Sequence, residues 1–286
     1  MLRLGRLDVP DGALVVMAIV NRTPDSFFDR GATYELTAAL ERVDQVVDEG
    51  ADMVDVGGVK AAPGEEVDAA EEIRRTVDLV AAIRSAHPTL PISIDTWRSA
   101  VAKEALAAGA DVVNDAWGGV DPSLAGVAAE AGAGIVCTHA GGLPPRTRPH
   151  RVQYADVVAD IVARTTALAK AAVAAGVDRE RVLVDPGHDF GKNTRHSLEA
   201  TRRLGELVAT GWPVLVALSN KDFVGETLDV PLEQRLTGTL AATAVSAWLG
   251  ARVFRVHDVA ATRQTLDMVA SIRGDRPPAR TVRGLA

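Results

Sequence analysis

The 286-residue chain carries 38 acidic and 31 basic side chains, a net charge of -7, and 47% hydrophobic residues. That balance excludes a disordered or collagen-like chain and supplies no basic footprint for nucleic acid. A local pocket can still oppose the global charge and take an anionic small molecule. The single cysteine, Cys137, cannot form an internal disulfide and lies in the apolar run Gly134–Thr138, so it reads as a buried small hydrophobe in a reducing cytoplasm. The longest early apolar run, Ala13–Val20, is too short for a bilayer, and no membrane partner is expected.

In chain order, Leu2–Leu14 alternates as a small hairpin does. Apolar, β-branched runs then occur at Val15–Val20, Met53–Val56, Ile92–Ile94, Val112–Val113, Ile135–Val136, Val182–Val184, Val214–Leu218 and Val253–Val256, and they predict short strands buried on both faces. Helix-period segments lie between them, such as Ile73, Val77, Val80 and Ile83, with Asp121-Pro122 predicting the start of another helix. Strand and helix repeat about eight times, which predicts a (β/α)8 TIM barrel behind a short N-terminal hairpin. Residues 1–286 are expected to form one domain, with residues 274–286 a frayed tail.

The connections are unequal. Helix-to-strand turns are terse and marked by Gly50, Gly109 and Gly250, whereas strand-to-helix loops such as Asn21–Glu35, Gly57–Asp68, His139–Tyr154, Asp185–Thr194 and Ser219–Pro231 are long and polar. Elaborated loops on one face mark the end of a barrel where active sites sit.

At nearly every predicted strand end an apolar run stops at a hydrogen-bonding group: Asn21, Asp55, Asp95, Asn114 with Asp115, His139, Asp185, Ser219 with Lys221, and Arg255 with His257. Asp95, Asn114, Asp185 and Lys221 combine acceptors and donors, which suits a flat heterocycle bearing amino and oxo groups. Asn21, Arg255 and His257 offer donors with no carboxylate among them, which suits a phosphate or diphosphate. The bland alternative for Asp95, Asp185 and Lys221 is an ion-pair network bracing the barrel. Asp258 reads as the cap of the last helix rather than a metal ligand, and no His/Cys cluster resembles a zinc site.

These sites lie in stretches that resemble the dihydropteroate synthase family. Met17–Gly31 (MAIVNRTPDSFFDRG), Gly50–Gly58 (GADMVDVGG), Ile92–Thr96 (ISIDT), Gly109–Gly119 (GADVVNDAWGG), Val182–Lys192 (VLVDPGHDFGK), Pro213–Gly225 (PVLVALSNKDFVG) and Gly250–Val259 (GARVFRVHDV) are similar to its signatures, from about Leu2 to Ile272. The resemblance implies a pterin-binding barrel that joins 6-hydroxymethyl-7,8-dihydropterin diphosphate to p-aminobenzoate in folate biosynthesis, with Mg2+, as a homodimer through helices near the C-terminus. It implies that Asp95, Asn114, Asp185, Phe190 and Lys221 bind pterin, and that Asn21, Arg255 and His257 bind diphosphate. Phe190 and Ser219 would face aminobenzoate, Asn21 would meet the metal, and Lys221, Arg255 and His257 would be catalytic.

The departures from that pattern are as informative. After Gly57-Gly58 the family continues Glu-Ser-Thr-Arg-Pro-Gly, whereas this chain has Val59-Lys60-Ala61-Ala62-Pro63-Gly64. Arg22 replaces a small apolar residue, Asn220 replaces the Arg between Ser and Lys, His188-Asp189 replaces Ile-Gly, and Ala140-Gly141-Gly142 replaces a Met-rich stretch. Lys60 and Arg22 are the candidates for restoring the lost charge. One lost charge-assisted contact costs roughly 1.5–3 kcal/mol. The expected protein is therefore a divergent paralogue that binds pterin with weak or absent synthase activity; the alternative is a functional synthase with rearranged loops. A pterin-dependent methyltransferase, which would need a separate corrinoid protein, and a Schiff-base aldolase using Lys221 rank lower.

Overall fold

The computed structural model describes residues 1–23, 33–61, 63–147 and 152–284. A short antiparallel hairpin, β1 (Leu2–Leu4) and β2 (Leu7–Val9), comes first. The barrel follows as β3 (Val15–Asn21), α1 (Leu36–Asp48), β4 (Met53–Gly57), α2 (Ala69–Ala86), β5 (Ile92–Asp95), α3 (Ser99–Ala107), β6 (Val112–Asp115), α4 (Leu124–Glu130) and β7 (Gly134–Thr138). It continues as α5 (Val157–Ala174), β8 (Val182–Asp185), α6 (Thr194–Arg202), α7 (Leu204–Val208), β9 (Leu215–Val216), α8 (Asp222–Leu228), α9 (Leu236–Trp248), β10 (Val253–Val256) and α10 (Val259–Arg273).

All eight barrel strands are parallel, in the order β8-β7-β6-β5-β4-β3-β10-β9, and a bridge between Val184 and Val214 brings the two ends of the sheet together. The predicted barrel and hairpin are both present. The predicted strand Val214–Leu218 is shorter than expected, because Val214 pairs singly with Val184 and the Leu218 carbonyl accepts the Lys221 N–H in a turn. Gly50, Gly109 and Gly250 adopt φ of 97°, 116° and 106°, the left-handed helix ends that their spacing predicts.

Two apolar clusters divide the core. Val16, Ala18, Val54, Ile92, Ile94, Val113, Cys137, Val184 and Val256 face outward against the helices. Val15, Met17, Met53, Val112, Val136, Leu183, Leu215 and Val253 face inward, and Leu2, Leu4 and Val9 of the hairpin pack beneath them. Side chains alternate along a strand, so the inward set, continued by two residues per step, leads from an apolar floor to a polar layer at the opposite end.

Two helix-start expectations need correction. The helix expected at Asp121-Pro122 begins at Leu124; the Asp121 carboxylate instead accepts the Ser99 N–H (2.8 Å) and the Ser123 N–H (2.9 Å), tying together the starts of α3 and α4. Asp258 occupies the N-cap position of α10, but its side chain makes no capping bond.

Candidate active site

The inward register delivers Asn21, Asp55, Gly57, Ser93, Asp95, Asn114, Thr138, Asp185, Ser219, Arg255 and His257 to the polar end of the barrel interior, a layer built in successive steps, with Asp55 and Ser93 one step below Gly57 and Asp95. It excludes two expected members. Asp115 and His139 share a face with outward Val113 and Cys137. Asp115 accepts the N–H groups of Trp117 (3.0 Å) and Gly119 (2.6 Å), and burial pushes its carboxyl up to about 6. His139 turns away from the mouth to meet Asp160 of α5 at 2.7 Å. A two-residue polar strand end puts only one side chain inside.

Arg255 is the hub of the layer. Its Nε donates to Asp55 Oδ2 at 2.6 Å and its Nη2 to Asp95 Oδ2 at 2.7 Å, while Asn114 Nδ2 donates to Asp55 Oδ2 at 3.3 Å. The carboxylate-bearing set and the donor set are not separate in space: Arg255 of the second is bonded to Asp95 of the first. A cation surrounded by aspartates lowers the layer's energy most when both carboxylates are charged. Burial nevertheless pushes Asp95 up to about 7, with Arg255 opposing and Asp55 reinforcing the shift, and the same carboxylates hold Arg255 above the ordinary guanidinium value.

Asp185 accepts the Gly187 N–H at 2.7 Å, and burial raises its pKa while Lys221 opposes the rise. Lys221 donates to the His188 carbonyl and lies 4.8 Å from the centre of the Phe190 ring. Phe190 in turn meets Trp117 edge-on at 5.0 Å. Ser219 Oγ and His257 Nδ1 are 3.0 Å apart. Asn21 lies beside Gly57, where a Cβ would come within 2.8 Å of Asn21 Oδ1. Sequence reasoning missed Ser93 and Thr138 as layer members. Their hydroxyls and Asp55 Oδ1 are buried without a hydrogen-bond partner among the described residues, the condition in which a ligand's polar groups are welcome. Alternation within β5, where Ser93 and Asp95 stand two apart and alternate with Ile92 and Ile94, was the signal that could have found Ser93; the uniformly apolar run of β7 before Thr138 offered none.

The altered positions behave differently. Arg22 points outward, donating to the carbonyls of Tyr34 (2.8 Å) and Arg75 (3.0 Å), so it does not restore charge at the mouth. Asn220, in the left-handed region at φ 56°, is buried against Thr239: its N–H donates to Thr239 Oγ1 at 3.0 Å. Asp189, also left-handed at φ 65°, accepts from Ser197 Oγ (2.8 Å) and from the Phe223 N–H near the start of α8 (3.2 Å). His188 is fully buried, with Nε2 2.9 Å from Thr201 Oγ1. Ala61 is exposed. Ala62 and the Pro24–Gly31 part of the first signature lie outside the described residues.

The profile described as pterin binding enzyme matches residues 17–257, the span that contains every residue of the polar layer. The chain belongs to the pterin binding enzyme family. It is 62% identical over 99% of its length, and 90% of the relative's, to a Mycobacterium tuberculosis protein named inactive dihydropteroate synthase 2. A Yersinia pestis dihydropteroate synthase in a sulfonamide drug complex superposes with a TM-score of 0.89 at 34% identity, covering 94% of this chain and 97% of that one. The Xanthomonas albilineans dihydropteroate synthase in complex with 7,8-dihydropteroate gives a TM-score of 0.80 at 36% identity, over 91% and 94% of the two chains. Among the described residues of this family member, no group of three His, Cys, Asp or Glu side chains could hold a metal, and no helix is long and apolar enough to cross a membrane.

Proposed function

We propose that the protein is a dihydropteroate-synthase-like paralogue that binds a pterin or pterin diphosphate at the barrel mouth and has lost useful dihydropteroate synthase activity. The observation that carries this reading is a split within the site. Asp95, Asn114 and Asp185 share the inner layer with Lys221 nearby, whereas Ala61, Asn220 and Arg22 bring no cation to the aminobenzoate side. The inactive mycobacterial relative and the dihydropteroate-bound Xanthomonas relative support the two halves respectively.

In this reading Asp185 and Asn114 hydrogen-bond the pterin edge, Lys221 donates to a ring oxygen or nitrogen, and Phe190 lies toward p-aminobenzoate with Ser219. Arg255 and His257 attract the diphosphate. Mg2+ fits only as an ion carried by substrate, because it prefers oxygen ligands and keeps several waters, and Asn21 Oδ1 is the protein oxygen that would hold it. Bound there, it would neutralise the departing diphosphate. Grafting Glu-Ser-Thr-Arg onto residues 59–62 together with Asn220→Arg should raise dihydropteroate formation above wild type, measured with both substrates and Mg2+. Ordinary turnover by the wild type would overturn the proposal.

A cytoplasmic homodimer completes the reading. Val245 and Trp248 of α9 and Met268 and Ile272 of α10 are exposed on two adjacent packed helices, an apolar surface that fits a second copy of the chain. Trp248→Glu should give a monomer in sedimentation velocity; an unchanged sedimentation coefficient would reject this interface.

A further inference from the structure

Lys192 is among the largest fully buried side chains of the protein, and no part of the proposed chemistry uses it. Its ammonium has three protons and four acceptors within reach: His139 Nδ1 at 2.6 Å and the carbonyls of Gly187 (2.9 Å), Phe190 (2.9 Å) and His139 (3.1 Å). These contacts fix the tautomer of His139. Its Nε2 faces the Asp160 carboxylate, which can only accept, so Nε2 carries the proton and Nδ1 offers a lone pair to Lys192. Arg164 Nε meets the same Asp160 oxygen, Oδ1, at 2.8 Å.

The carbonyls gathered by Lys192 belong to the loops that follow β7 and β8. At Gly187 a Cβ would come within 2.1 Å of the His139 carbonyl oxygen, and at Gly191 within 2.5 Å of the Ala140 carbonyl oxygen, so the two backbones touch where no side chain intervenes. Tyr154 adds a bond from its hydroxyl to the Gly191 carbonyl at 2.6 Å. The β8 loop held in this way carries Phe190 and the His188 carbonyl that accepts from Lys221. We propose that Lys192, backed by His139 and Asp160, is a positioning residue that clamps the Gly187–Lys192 loop and thereby sets Phe190 and Lys221 for ligand binding.

This proposal rests on the pterin reading only for its consequence in binding; the clamp itself is a property of the ligand-free protein. The groups whose charges act on Lys192 are Asp185 at the end of β8, Asp189 in the same loop, Lys221 at the start of α8 and Asp160 on α5, with His139 in direct contact. Burial lowers Lys192 to about 7, against the pull of the three aspartates. Raising the pH therefore removes one of the three donors that the clamp uses.

Lys192→Met keeps most of the volume and removes the donors, and Asp160→Asn keeps an acceptor for His139 while removing the charge. Both variants of the full chain are compared with wild type by amide hydrogen exchange and by titration with 6-hydroxymethylpterin from pH 6 to pH 9. Lys192→Met should accelerate exchange across residues 187–192 by about tenfold or more, as expected for lost buried charge-assisted bonds, and weaken the probe by about tenfold at pH 6. Asp160→Asn should shift both in the same direction by a smaller factor, and it decides the matter if Lys192→Met does not fold. The ratio of variant to wild-type affinity cancels the probe's own ionisation and should shrink toward one at pH 9. Unchanged exchange in the loop overturns the clamp, and a lowered melting temperature with an unchanged, pH-flat affinity ratio reduces Lys192 to a structural brace. If wild type fails to bind the probe, the pterin reading falls while the exchange data still decide the clamp.

Discussion

The inner polar layer and the loops above it have diverged to different extents. In the layer, each side chain is placed by a strand register that the whole barrel shares: Arg255 reaches Asp55 and Asp95 from β10 across to β4 and β5 because alternation aims all three inward. In the loops, a side chain is placed by its own few hydrogen bonds, and Arg22 and Asn220 have both found partners away from the mouth. A barrel can therefore lose the loop half of a reaction while keeping the strand-end half, since only the latter is tied to folding.

The largest expected effect breaks the layer itself. Arg255→Ala leaves Asp55, fully buried, and Asp95 without their cation, and removing one partner of a buried ion pair costs about 3–5 kcal/mol. Denaturant unfolding should show that loss, and diphosphate affinity should fall with it. A variant as stable as wild type would remove Arg255 as the hub. The next effect is on ligand: Asp185→Ala should weaken a pterin about 10- to 100-fold, the worth of a charge-assisted bond, whereas Ala61→Thr should leave pterin affinity unchanged. Equal losses at both positions, measured calorimetrically, would erase the distinction between layer and loop.

A comparable energy belongs to the clamp behind the layer. Burial lowers His139 to about 4 from 6.5, so between those values the unfolded chain takes up a proton that the folded chain refuses. Stability should fall as the pH drops from 6.5 to 4, by up to about 3 kcal/mol. His139→Gln should remove that part of the slope in equilibrium unfolding, and an unchanged slope would contradict the buried neutral imidazole. The smallest effect is at Asn220, where Ala must adopt the same left-handed backbone without the amide's tolerance for it. Asn220→Ala should cost about 1 kcal/mol without altering pterin affinity.

The barrel was legible because eight apolar runs separated by helix periods leave few other folds, and the hairpin because Leu2, Leu4 and Val9 alternate. The layer was legible only in part. When both faces of a strand are buried, hydropathy carries no register, so Asn114 and Asp115 looked equivalent, and His139 looked like a mouth residue while inward Thr138 did not. Lys192 was silent for a different reason: its partners are mostly backbone carbonyls, which leave no pattern in a sequence. Asn220 was visible as a replacement, but its turn away from the mouth depends on Thr239, nineteen residues further along on a later helix.

The central claim is that recognition and transfer have come apart in this chain. One measurement tests it: on a single preparation with Mg2+, titrate 6-hydroxymethylpterin by calorimetry and follow dihydropteroate formation from the pterin diphosphate and p-aminobenzoate. The account predicts saturable pterin binding with dihydropteroate formation at least about tenfold below that of a family member carrying the full second loop, the loss of at least one charge-assisted transition-state contact. Turnover equal to that enzyme, or no pterin binding at all, would contradict it.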